Sequence, residues 1–280
     1  MTSLLPIPPF EDLIRAALAE DLGDAGDITT IATIPATSRS RAVVAARKPG
    51  SLAGVPIAVR TFERVDPAIK VITRMADGTK VVPKNAVLEI EGPTRGILTA
   101  ERVALNFLGH LSGVATATAE IVGAIAHTRT KVCCTRKTTP GLRALEKYAV
   151  RCGGGVNHRM GLYDQILIKD NHIAAAGSVA AAIRAAKLGP KVKLIVEVDT
   201  LAQLDDALGE GIDQVLLDNM TPAQLKEAVI RVRGRAITEA SGSITKATAP
   251  AIAESGVDLL SVGWITHSAP CLDLGLDFLD

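Results

Sequence analysis

The sequence has little of several features that would assign it to a common class of protein. Aromatic residues make up only 2% of its 280 residues, so the stacking surfaces that single-strand nucleic-acid binders use are largely missing. Its 31 basic and 30 acidic residues leave a net charge of +1, without the positive excess that is typical of duplex binders. No apolar run reaches the roughly 18 residues of a membrane-spanning helix. These shortages favour a globular protein that binds neither nucleic acid nor a membrane.

Cysteine is also scarce, and the spacing of the four cysteines does not predict a metal site. Cys133 and Cys134 are adjacent, whereas Cys152 and Cys271 lie far from them. Neighbouring cysteines on a strand cannot readily chelate one metal ion, and no CxxC or HxxxH spacing accompanies them. The N-terminal segment MTSLLPIPPFEDL lacks the basic region that opens a signal peptide. We therefore expect buried, reduced thiols and a cytoplasmic location.

The first hundred residues indicate an α+β sandwich domain, which we place at residues 1–106. A helix is expected at residues 10–20, after two prolines. Three β-rich segments follow, at residues 41–46, 71–74 and 86–91, with a turn at Asp77-Gly78. The C-terminal tail, residues 268–280, alternates weakly, and we expect it to pack on this domain as an edge strand.

A largely apolar helix leads into the second part of the chain. Thr99 suits an N-cap, and Glu101 is favourable in the first turn of a helix. We predict that this helix extends from Thr99 to residue 126, with a break at Ser112-Gly113, where two poor helix formers are adjacent.

From residue 131 onward, short apolar strands alternate with amphipathic helices, which is typical of a parallel sheet covered by helices. The predicted strands are residues 131–135, 166–169, 193–198, 214–218, 236–240 and 259–262, and the predicted helices are residues 178–188, 201–210, 222–232 and 246–255. Glu197, Asp218 and Glu239 are spaced 21 residues apart, which favours a barrel. Six units are fewer than the usual eight, so we predict an incomplete six- or seven-stranded α/β barrel at residues 107–267. A further strand would lie within residues 115–126.

The segment between residues 131 and 172 is cationic, with eight Lys or Arg against three acidic residues. Many of these charges lie beside Gly, Pro, Thr and Asn in the pieces TRKTTPGLR, GGGVNHR and LIKDNH. Glycine-containing loops let a backbone approach a ligand closely, and loops carry much of a protein's binding chemistry. The pattern indicates a site for a small polyanionic substrate.

Polar residues recur at the ends of the predicted strands, where barrels carry their chemistry. In chain order they are Arg136 and Lys137, Lys169 and Asp170, Glu197 and Asp199, Asp218, Glu239 with Ser241, and Gly263. Early strands supply cations and middle strands supply carboxylates. The loops at residues 241–243 and 262–264 are of the kind that binds phosphate in barrels.

Each of these features also has a purely structural explanation. Lys169 and Glu197 could form an ion pair that fills the barrel interior. Asp218 could cap the following helix, and the glycines at residues 153–155 could simply end one. The polar residues nevertheless fall together at one end of successive strands, which favours a functional site.

Taken in order, these motifs resemble the quinolinate phosphoribosyltransferase family. The resemblance rests on TRKTTPGLRALEKYAVRCGGGVNHRMGLYDQILIKDNH, with further matches at AEDLGDAGDITT, TAERVALNFLGHLSG, VEVDTLAQL, VLLDNM and SVGWITHSAP. It implies an N-terminal sandwich followed by an incomplete barrel. It also implies that quinolinate and phosphoribosyl pyrophosphate react, with Mg²⁺, to give nicotinate mononucleotide, CO₂ and pyrophosphate for NAD biosynthesis.

The resemblance implies a role for each matching residue. The quinolinate carboxylates are assigned to Arg102, Arg136, Arg159 and Lys169, with His158 beside them. The phosphoribosyl pyrophosphate is assigned to Thr135, Lys137, Glu197, Asp218, Ser241, Gly242, Ser243, Val262, Gly263 and Trp264. Lys169, Glu197 and Asp218 are the expected catalytic residues, and the two acids would hold the metal directly or through water. Arg102 is expected to come from the neighbouring subunit of a homodimer or larger homo-oligomer.

Three positions depart from the family pattern. Cys134 stands where many members carry Asp, Ser243 stands where Gly is more frequent, and Trp264 stands where a small residue is common. We expect these departures to change the detailed geometry of the phosphate site without changing the class of reaction.

Three other functions are consistent with the residues. A related phosphoribosyltransferase could act on another aromatic acid, Lys169 could be the Schiff-base lysine of an aldolase-type barrel, and the protein could be a non-catalytic anion-binding regulator. The complete GGGVNHR and IKDNH segments favour quinolinate, because four cations suit a dicarboxylate better than a monoanion.

Overall fold

The computed structural model describes residues 6–279. The helices are α1 (Glu11–Leu22), α2 (Ile28–Thr33), α3 (Val55–Val65), α4 (Thr94–Ala124), α5 (Arg143–Cys152), α6 (Asp170–Ala176), α7 (Val179–Lys187), α8 (Leu201–Glu210), α9 (Pro222–Val232), α10 (Ala249–Ala253) and α11 (Trp264–His267). The strands are β1 (Arg39–Ala46), β2 (Gly50–Ser51), β3 (Lys70–Thr73), β4 (Lys80–Val81), β5 (Ala86–Pro93), β6 (Lys131–Cys133), β7 (Ile166–Ile168), β8 (Leu194–Val198), β9 (Gln214–Asp218), β10 (Ile237–Ser241), β11 (Leu259–Ser261) and β12 (Leu274–Leu279).

The residues group into two compact units. Unit 1 contains the chain up to Ala117, the segment Ala144–Gly154 and the tail from Ser268. Unit 2 contains Thr118–Arg143 and Gly155–His267. The change from one unit to the other at Ala117 lies inside α4, as does the predicted boundary between residues 106 and 107.

Unit 1 is built on a four-stranded antiparallel sheet with the order β12-β1-β5-β3. The central strand β1 pairs with β5 on one side and with β12 on the other, so that the last strand of the chain lies beside the first. Strands β2 and β4 form a separate two-stranded sheet.

The core of unit 1 lies where helices α3 and α4 cover this sheet. Phe62 of α3, Leu88 of β5, and Ile97 and Leu108 of α4 belong to one cluster, and each is 0% exposed. Each such side chain stabilises the fold by roughly 1.5–3 kcal/mol through burial. Helices packed on an antiparallel sheet give the predicted α+β sandwich.

Unit 2 contains a six-stranded parallel sheet with the order β6-β11-β10-β9-β8-β7. Strands β7 to β11 follow one another around the ring, and β6 closes on β11. Strands β6 and β7 are the two ends of this sheet. On its other side β6 forms only a single bridge, between Cys133 and Val156. Among the described residues, no strand therefore joins β6 to β7. This confirms the incomplete, six-stranded α/β barrel. Residues 115–124 are helical, and the alternative of a further strand there is wrong.

Two predictions about α4 were wrong because tertiary contacts decide them. The helix begins at Thr94 and not at Thr99. The Thr99 hydroxyl donates a hydrogen bond to Asp27 Oδ2 at 3.1 Å, so it does not cap α4. The 31-residue helix starts directly after β5, without the loop that the sequence indicated.

The predicted break at Ser112-Gly113 is also absent, since α4 is continuous through these residues. The Ser112 hydroxyl accepts a hydrogen bond from the Ala53 N–H at 3.0 Å and lies 3.2 Å from the Ala53 carbonyl oxygen. At Gly113, an added Cβ would lie 2.2 Å from the carbonyl oxygen of Pro270. Both residues are small because other segments of unit 1 pack directly against the helix.

Within residues 6–279, no helix combines the length and the apolar character needed to cross a membrane.

Two glycines of α4 provide a matched test of this packing. Gly113→Ala should lower the free energy of unfolding by about 1–3 kcal/mol, because the new methyl group overlaps the Pro270 carbonyl. Gly123→Ala should raise it by about 0.5–1 kcal/mol, because no atom lies within 4 Å of the added Cβ and alanine is the better helix former. Urea denaturation measures both changes, and equal effects at the two positions would contradict the close contact at Gly113.

Candidate active site

A cavity of about 420 Å³ lies at the C-terminal ends of the parallel strands of unit 2. It is lined by Thr135, Arg136, Lys137, His158, Arg159, Leu167, Lys169, Glu197, Leu216, Asp218, Glu239, Ser241 and Ser261. All six strands contribute to it directly or through the loops that follow them. The structure therefore brings together most of the residues that the sequence singled out.

Two arginines give the cavity its positive character. The Nε atoms of Arg136 and Arg159 are buried and have no hydrogen-bond partner within residues 6–279. A terminal nitrogen of Arg159 donates to the carbonyl oxygen of Gln165 at 3.2 Å. Burial lowers the pKa of Arg159, the charge of Arg136 lowers it further, and Asp164 opposes both effects. Buried donors without acceptors are unfavourable, so this geometry suits an anionic ligand.

Lys169 and Glu197 form an ion pair at the ends of β7 and β8. The Lys169 side chain is 43% exposed and that of Glu197 is 15% exposed. The pair lines the cavity and is open to solvent, in contrast to an ion pair that fills the barrel interior. Lys169 also precedes α6, where its backbone N–H donates to His172 Nδ1 at 3.0 Å.

Asp218 ends β9 with its carboxylate at the cavity. It accepts a hydrogen bond from Asn219 Nδ2 at 2.7 Å. The cap of α9 is instead Thr221, whose hydroxyl accepts from the Gln224 N–H at 3.3 Å. Helix capping therefore does not explain Asp218, and its carboxylate is available to a ligand.

The loop after β10 is tightly constrained. Gly242 has φ of +111°, and an added Cβ would lie 2.2 Å from Asn219 Oδ1. The next residue, Ser243, has φ of +46°, a left-handed conformation that non-glycine residues rarely adopt. Trp264 Nε1 donates to the carbonyl oxygen of Ile244 at 3.0 Å, so the large side chain at position 264 fixes this loop.

The loops after β6 and β11 are also held together. The Thr266 hydroxyl donates to the Lys137 carbonyl oxygen at 2.6 Å. An added Cβ at Gly263 would lie 3.1 Å from Lys137 Cδ, so the Lys137 stem passes close to this glycine. The two predicted phosphate loops thus lie with Lys137 on one side of the cavity.

The three glycines at residues 153–155 do end a helix, as the structural explanation proposed. The Gly153 N–H continues the hydrogen bonding of α5, and Gly154 has φ of +88°. The chain then becomes extended, and the Val156 N–H donates to the Val132 carbonyl oxygen beside β6 at 2.8 Å. His158 and Arg159 follow this short extended segment and line the cavity.

Glu239 and Ser261 line the cavity but received no role from the sequence. Glu239 is 0% exposed, and its carboxylate accepts hydrogen bonds from Gln214 Nε2 and from the Ser261 hydroxyl. His158 Nε2 lies 3.4 Å from Glu239 Oε2. The signal was present, because Glu239 continues the regular spacing that begins with Glu197.

Some predicted residues do not line the cavity itself. Gly242, Ser243, Val262 and Gly263 lie in the loops that continue from its lining serines, Ser241 and Ser261, and Trp264 begins α11. Arg102 belongs to unit 1, where it is exposed on α4. The structure of one chain therefore leaves the role of Arg102 a prediction.

The cysteines form no disulfide among the described residues. Cys133 and Cys134 are buried, and Cys134 Sγ donates to Asn157 Oδ1 at 3.4 Å. Burial and the Asp77 charge raise the pKa of Cys152 to about 11. Cys271 is exposed, which corrects the expectation that all four thiols are buried.

A metal ion would find few ligands in the cavity. Across residues 6–279, no three His, Cys, Asp or Glu side chains cluster as a metal site. Glu197 and Asp218 are nevertheless both in the cavity lining. Mg²⁺ commonly uses one or two carboxylates together with water and the phosphates of a substrate, and these two residues fit that arrangement.

Comparison with known proteins identifies relatives over nearly the whole chain. Residues 27–112 match the family model "Quinolinate phosphoribosyl transferase, N-terminal domain", and residues 114–277 match that of the C-terminal domain. A Mycobacterium leprae protein named nicotinate-nucleotide pyrophosphorylase (carboxylating) is 47% identical over 272 residues, covering 95% of this chain and 96% of that protein. A Bacillus subtilis protein with the same name, preceded by "probable", is 41% identical, covering 96% and 93%.

A solved structure supports the same relationship. The crystal structure of NadC from Streptococcus pyogenes is 42% identical in sequence and aligns with a TM-score of 0.93. The alignment covers 99% of this chain and 100% of that one.

The constrained loop after β10 yields a prediction with an internal control. Gly242→Ala should lower the free energy of unfolding by about 1–3 kcal/mol, because the methyl group overlaps Asn219 and the backbone is left-handed. Ser243→Gly should leave stability unchanged or raise it by up to about 1 kcal/mol, because glycine relieves the left-handed conformation. Urea denaturation distinguishes them, and a destabilised Ser243→Gly variant would show that the serine side chain supports the loop.

Proposed function

The chain belongs to the quinolinate phosphoribosyltransferase family, and we propose that its cavity combines quinolinate with phosphoribosyl pyrophosphate to give nicotinate mononucleotide, CO₂ and pyrophosphate in NAD biosynthesis. The observation that carries the proposal is the pair of buried Nε atoms on Arg136 and Arg159, which have no partner within residues 6–279. A guanidinium group binds a carboxylate through two parallel hydrogen bonds. Two adjacent arginines therefore suit a dicarboxylate such as quinolinate.

We place the substrates by the charges of the cavity. The quinolinate carboxylates lie on Arg136, Arg159 and Lys169, with His158 beside them. The phosphates lie on the other side, on Lys137 and on the loops at residues 241–243 and 262–264. This arrangement directs the pyridine nitrogen towards the ribose carbon that carries the pyrophosphate.

The reaction then needs position and electrostatics more than a nucleophilic side chain. The pyridine nitrogen forms its bond to ribose C1′ as the C1′–oxygen bond to pyrophosphate breaks. We assign to Glu197 and Asp218, which both line the cavity, the stabilisation of positive charge on the ribose. The resulting pyridinium nitrogen accepts the electron pair as the 2-carboxylate leaves as CO₂, and C2 takes up a proton.

We infer that Glu197 and Asp218 hold Mg²⁺, directly or through water, when the diphosphate is bound. In that position the ion would neutralise charge on the departing pyrophosphate. The ion pair with Lys169 holds the Glu197 carboxylate at the cavity. The hydrogen bond from Asn219 does the same for Asp218.

The alternative functions receive less support from the cavity. A Schiff-base lysine is typically desolvated or close to another cation, whereas Lys169 is paired with Glu197 and partly exposed. An acid with a single carboxylate would leave one of the two buried arginines without an acceptor. A non-catalytic regulator would bind the same anions without turnover, and only an assay separates it from the enzyme.

The decisive experiment supplies quinolinate and phosphoribosyl pyrophosphate with and without Mg²⁺. Formation of CO₂ and nicotinate mononucleotide in equal amounts, dependent on Mg²⁺, is the expected result. Binding of both substrates without product would favour the regulator, and turnover of a different aromatic acid in place of quinolinate would favour the paralogue.

We further propose that the enzyme works in the cytoplasm as a homodimer or larger homo-oligomer. Within residues 6–279 its cysteines form no disulfide, which suits a reducing compartment. Arg102 is exposed on α4 and lies outside the cavity lining, and we propose that each subunit supplies it to the site of its neighbour. There it would add a further cation for quinolinate.

Arg159→Ala should remove most of the affinity for quinolinate while leaving that for phosphoribosyl pyrophosphate intact. The loss should be about 2–5 kcal/mol, the range for truncating one partner of a buried charge pair. Isothermal titration calorimetry measures both ligands. Arg184→Ala is a matched control, because Arg184 pairs with Glu210 on the surface of unit 2 and should not alter binding. Normal quinolinate affinity in Arg159→Ala would refute the assignment of the carboxylate site.

Mixing variants tests the shared site. Inactive Arg102→Ala and inactive Glu197→Ala chains should recover activity after subunit exchange, because one site of each mixed dimer is then intact. A mixture of Arg136→Ala and Glu197→Ala chains is the control and should stay inactive, since both residues line the cavity of one chain. Mixed dimers that mass spectrometry confirms, yet that remain inactive in the first mixture, would exclude Arg102 acting across subunits.

A further inference from the structure

Glu239 is an acidic side chain at the floor of a cavity that otherwise suits anions. It is 0% exposed, and burial of a carboxylate is expensive unless other groups compensate it. The Gln214 side chain and the Ser261 hydroxyl donate hydrogen bonds to it. Both donors are neutral, so these two hydrogen bonds do not by themselves explain why an acid is used.

His158 connects Glu239 to the ligand side of the cavity. Its Nδ1 accepts the Arg159 backbone N–H at 2.8 Å. A neutral imidazole has one donor and one acceptor nitrogen, so acceptance at Nδ1 places the ring proton on Nε2. Nε2 lies 3.4 Å from Glu239 Oε2, so the carboxylate is within ion-pair distance of the protonated nitrogen. The His158 side chain is only 8% exposed, which restricts other orientations.

We propose that Glu239 is a positioning residue for substrate recognition, acting through the His158 ring on Arg159. The carboxylate selects the Nε2-protonated tautomer and fixes the plane of the ring. The ring in turn holds the Arg159 backbone N–H. Arg159 lines the cavity, and its buried Nε has no hydrogen-bond partner within residues 6–279. The choice of quinolinate as the probe ligand rests on the proposed function.

If Glu239 had a purely structural role, its replacement would have different effects. If Glu239 only joined β10 to β9 and β11 through Gln214 and Ser261, its replacement would lower stability without changing the affinity for one substrate in particular. Positioning through His158 instead predicts a loss confined to quinolinate. It also predicts a change in the tautomer of one histidine.

Glu239→Gln in the full chain tests this difference, because glutamine keeps the volume and removes the charge. The Kd for quinolinate should rise about 10- to 100-fold, by analogy with the loss of a group that orients a metal-binding histidine. The Kd for phosphoribosyl pyrophosphate should stay unchanged. Thr238→Val is the matched control, since it removes the hydrogen bond to Asp258 one residue earlier in β10 and should alter stability alone. Unchanged quinolinate affinity in Glu239→Gln overturns the proposal.

Nuclear magnetic resonance of the unmodified chain tests the same link if the variant does not fold. Long-range ¹⁵N–¹H spectra report the tautomer of each histidine, and His158→Gln identifies the signal among the five histidines. The expected result is a neutral His158 protonated at Nε2, and protonation at Nδ1 or a mixture of tautomers overturns the proposal. Failure of the unmodified enzyme to make nicotinate mononucleotide would refute the proposed function instead, and the tautomer measurement would still decide the role of Glu239.

Discussion

The parallel register of the six strands in unit 2 is the constraint on which the site depends. Ser241 lies opposite Asp218 on one side and opposite Ser261 on the other, and Ser261 lies opposite Cys133. Residues that are far apart in sequence therefore emerge side by side at one edge. A slip of a single residue in any strand would turn these side chains to the opposite face of the sheet. The regular lengths of the βα units maintain this register and therefore keep the polar side chains together at the cavity.

The same edge of the sheet holds charged groups whose arrangement does not stabilise the fold. Two guanidinium groups are close together in the cavity, and burial disfavours the charge on Arg159. A protein can retain such unfavourable contacts at a functional site when the rest of the structure is stable enough to offset them. Here the apolar strand interiors, including Val196, Val215 and Leu260, each at 0% exposure, supply that stability. The site is thus ready to bind an anion, and the stability of the ligand-free protein is lower as a result.

The sequence could predict the parts of the fold that depend on local periodicity and regular spacing. The strands of the barrel, its incompleteness and the charged residues at the strand ends belong to this class, whereas His158 and Arg159 were assigned through the family resemblance. The continuity of α4 does not, because it depends on Ala53 and Pro270, which contact Ser112 and Gly113 from distant positions in the chain. Glu239 received no role from the sequence for a different reason. Its role depends on Gln214, Ser261 and His158, which only the folded barrel brings together. Local sequence patterns are enough to predict helices and strands. The reason for a particular glycine or buried acid often lies in a contact with a residue that is distant in sequence.

The pairing of β12 with β1 has a consequence for how the protein is made. The sheet of unit 1 takes its edge strand β12 from residues 274–279, so this segment must be synthesised before that sheet is complete. Contacts between segments so far apart in sequence form slowly, because they close a long loop. Barrel strands β7 to β11, by contrast, pair with their neighbours in chain order and can pair as they emerge. Synthesis from the N-terminus therefore leaves one edge of β1 without its neighbouring strand until β12 has been made, and an unpaired strand edge exposes the nascent chain to aggregation during that interval.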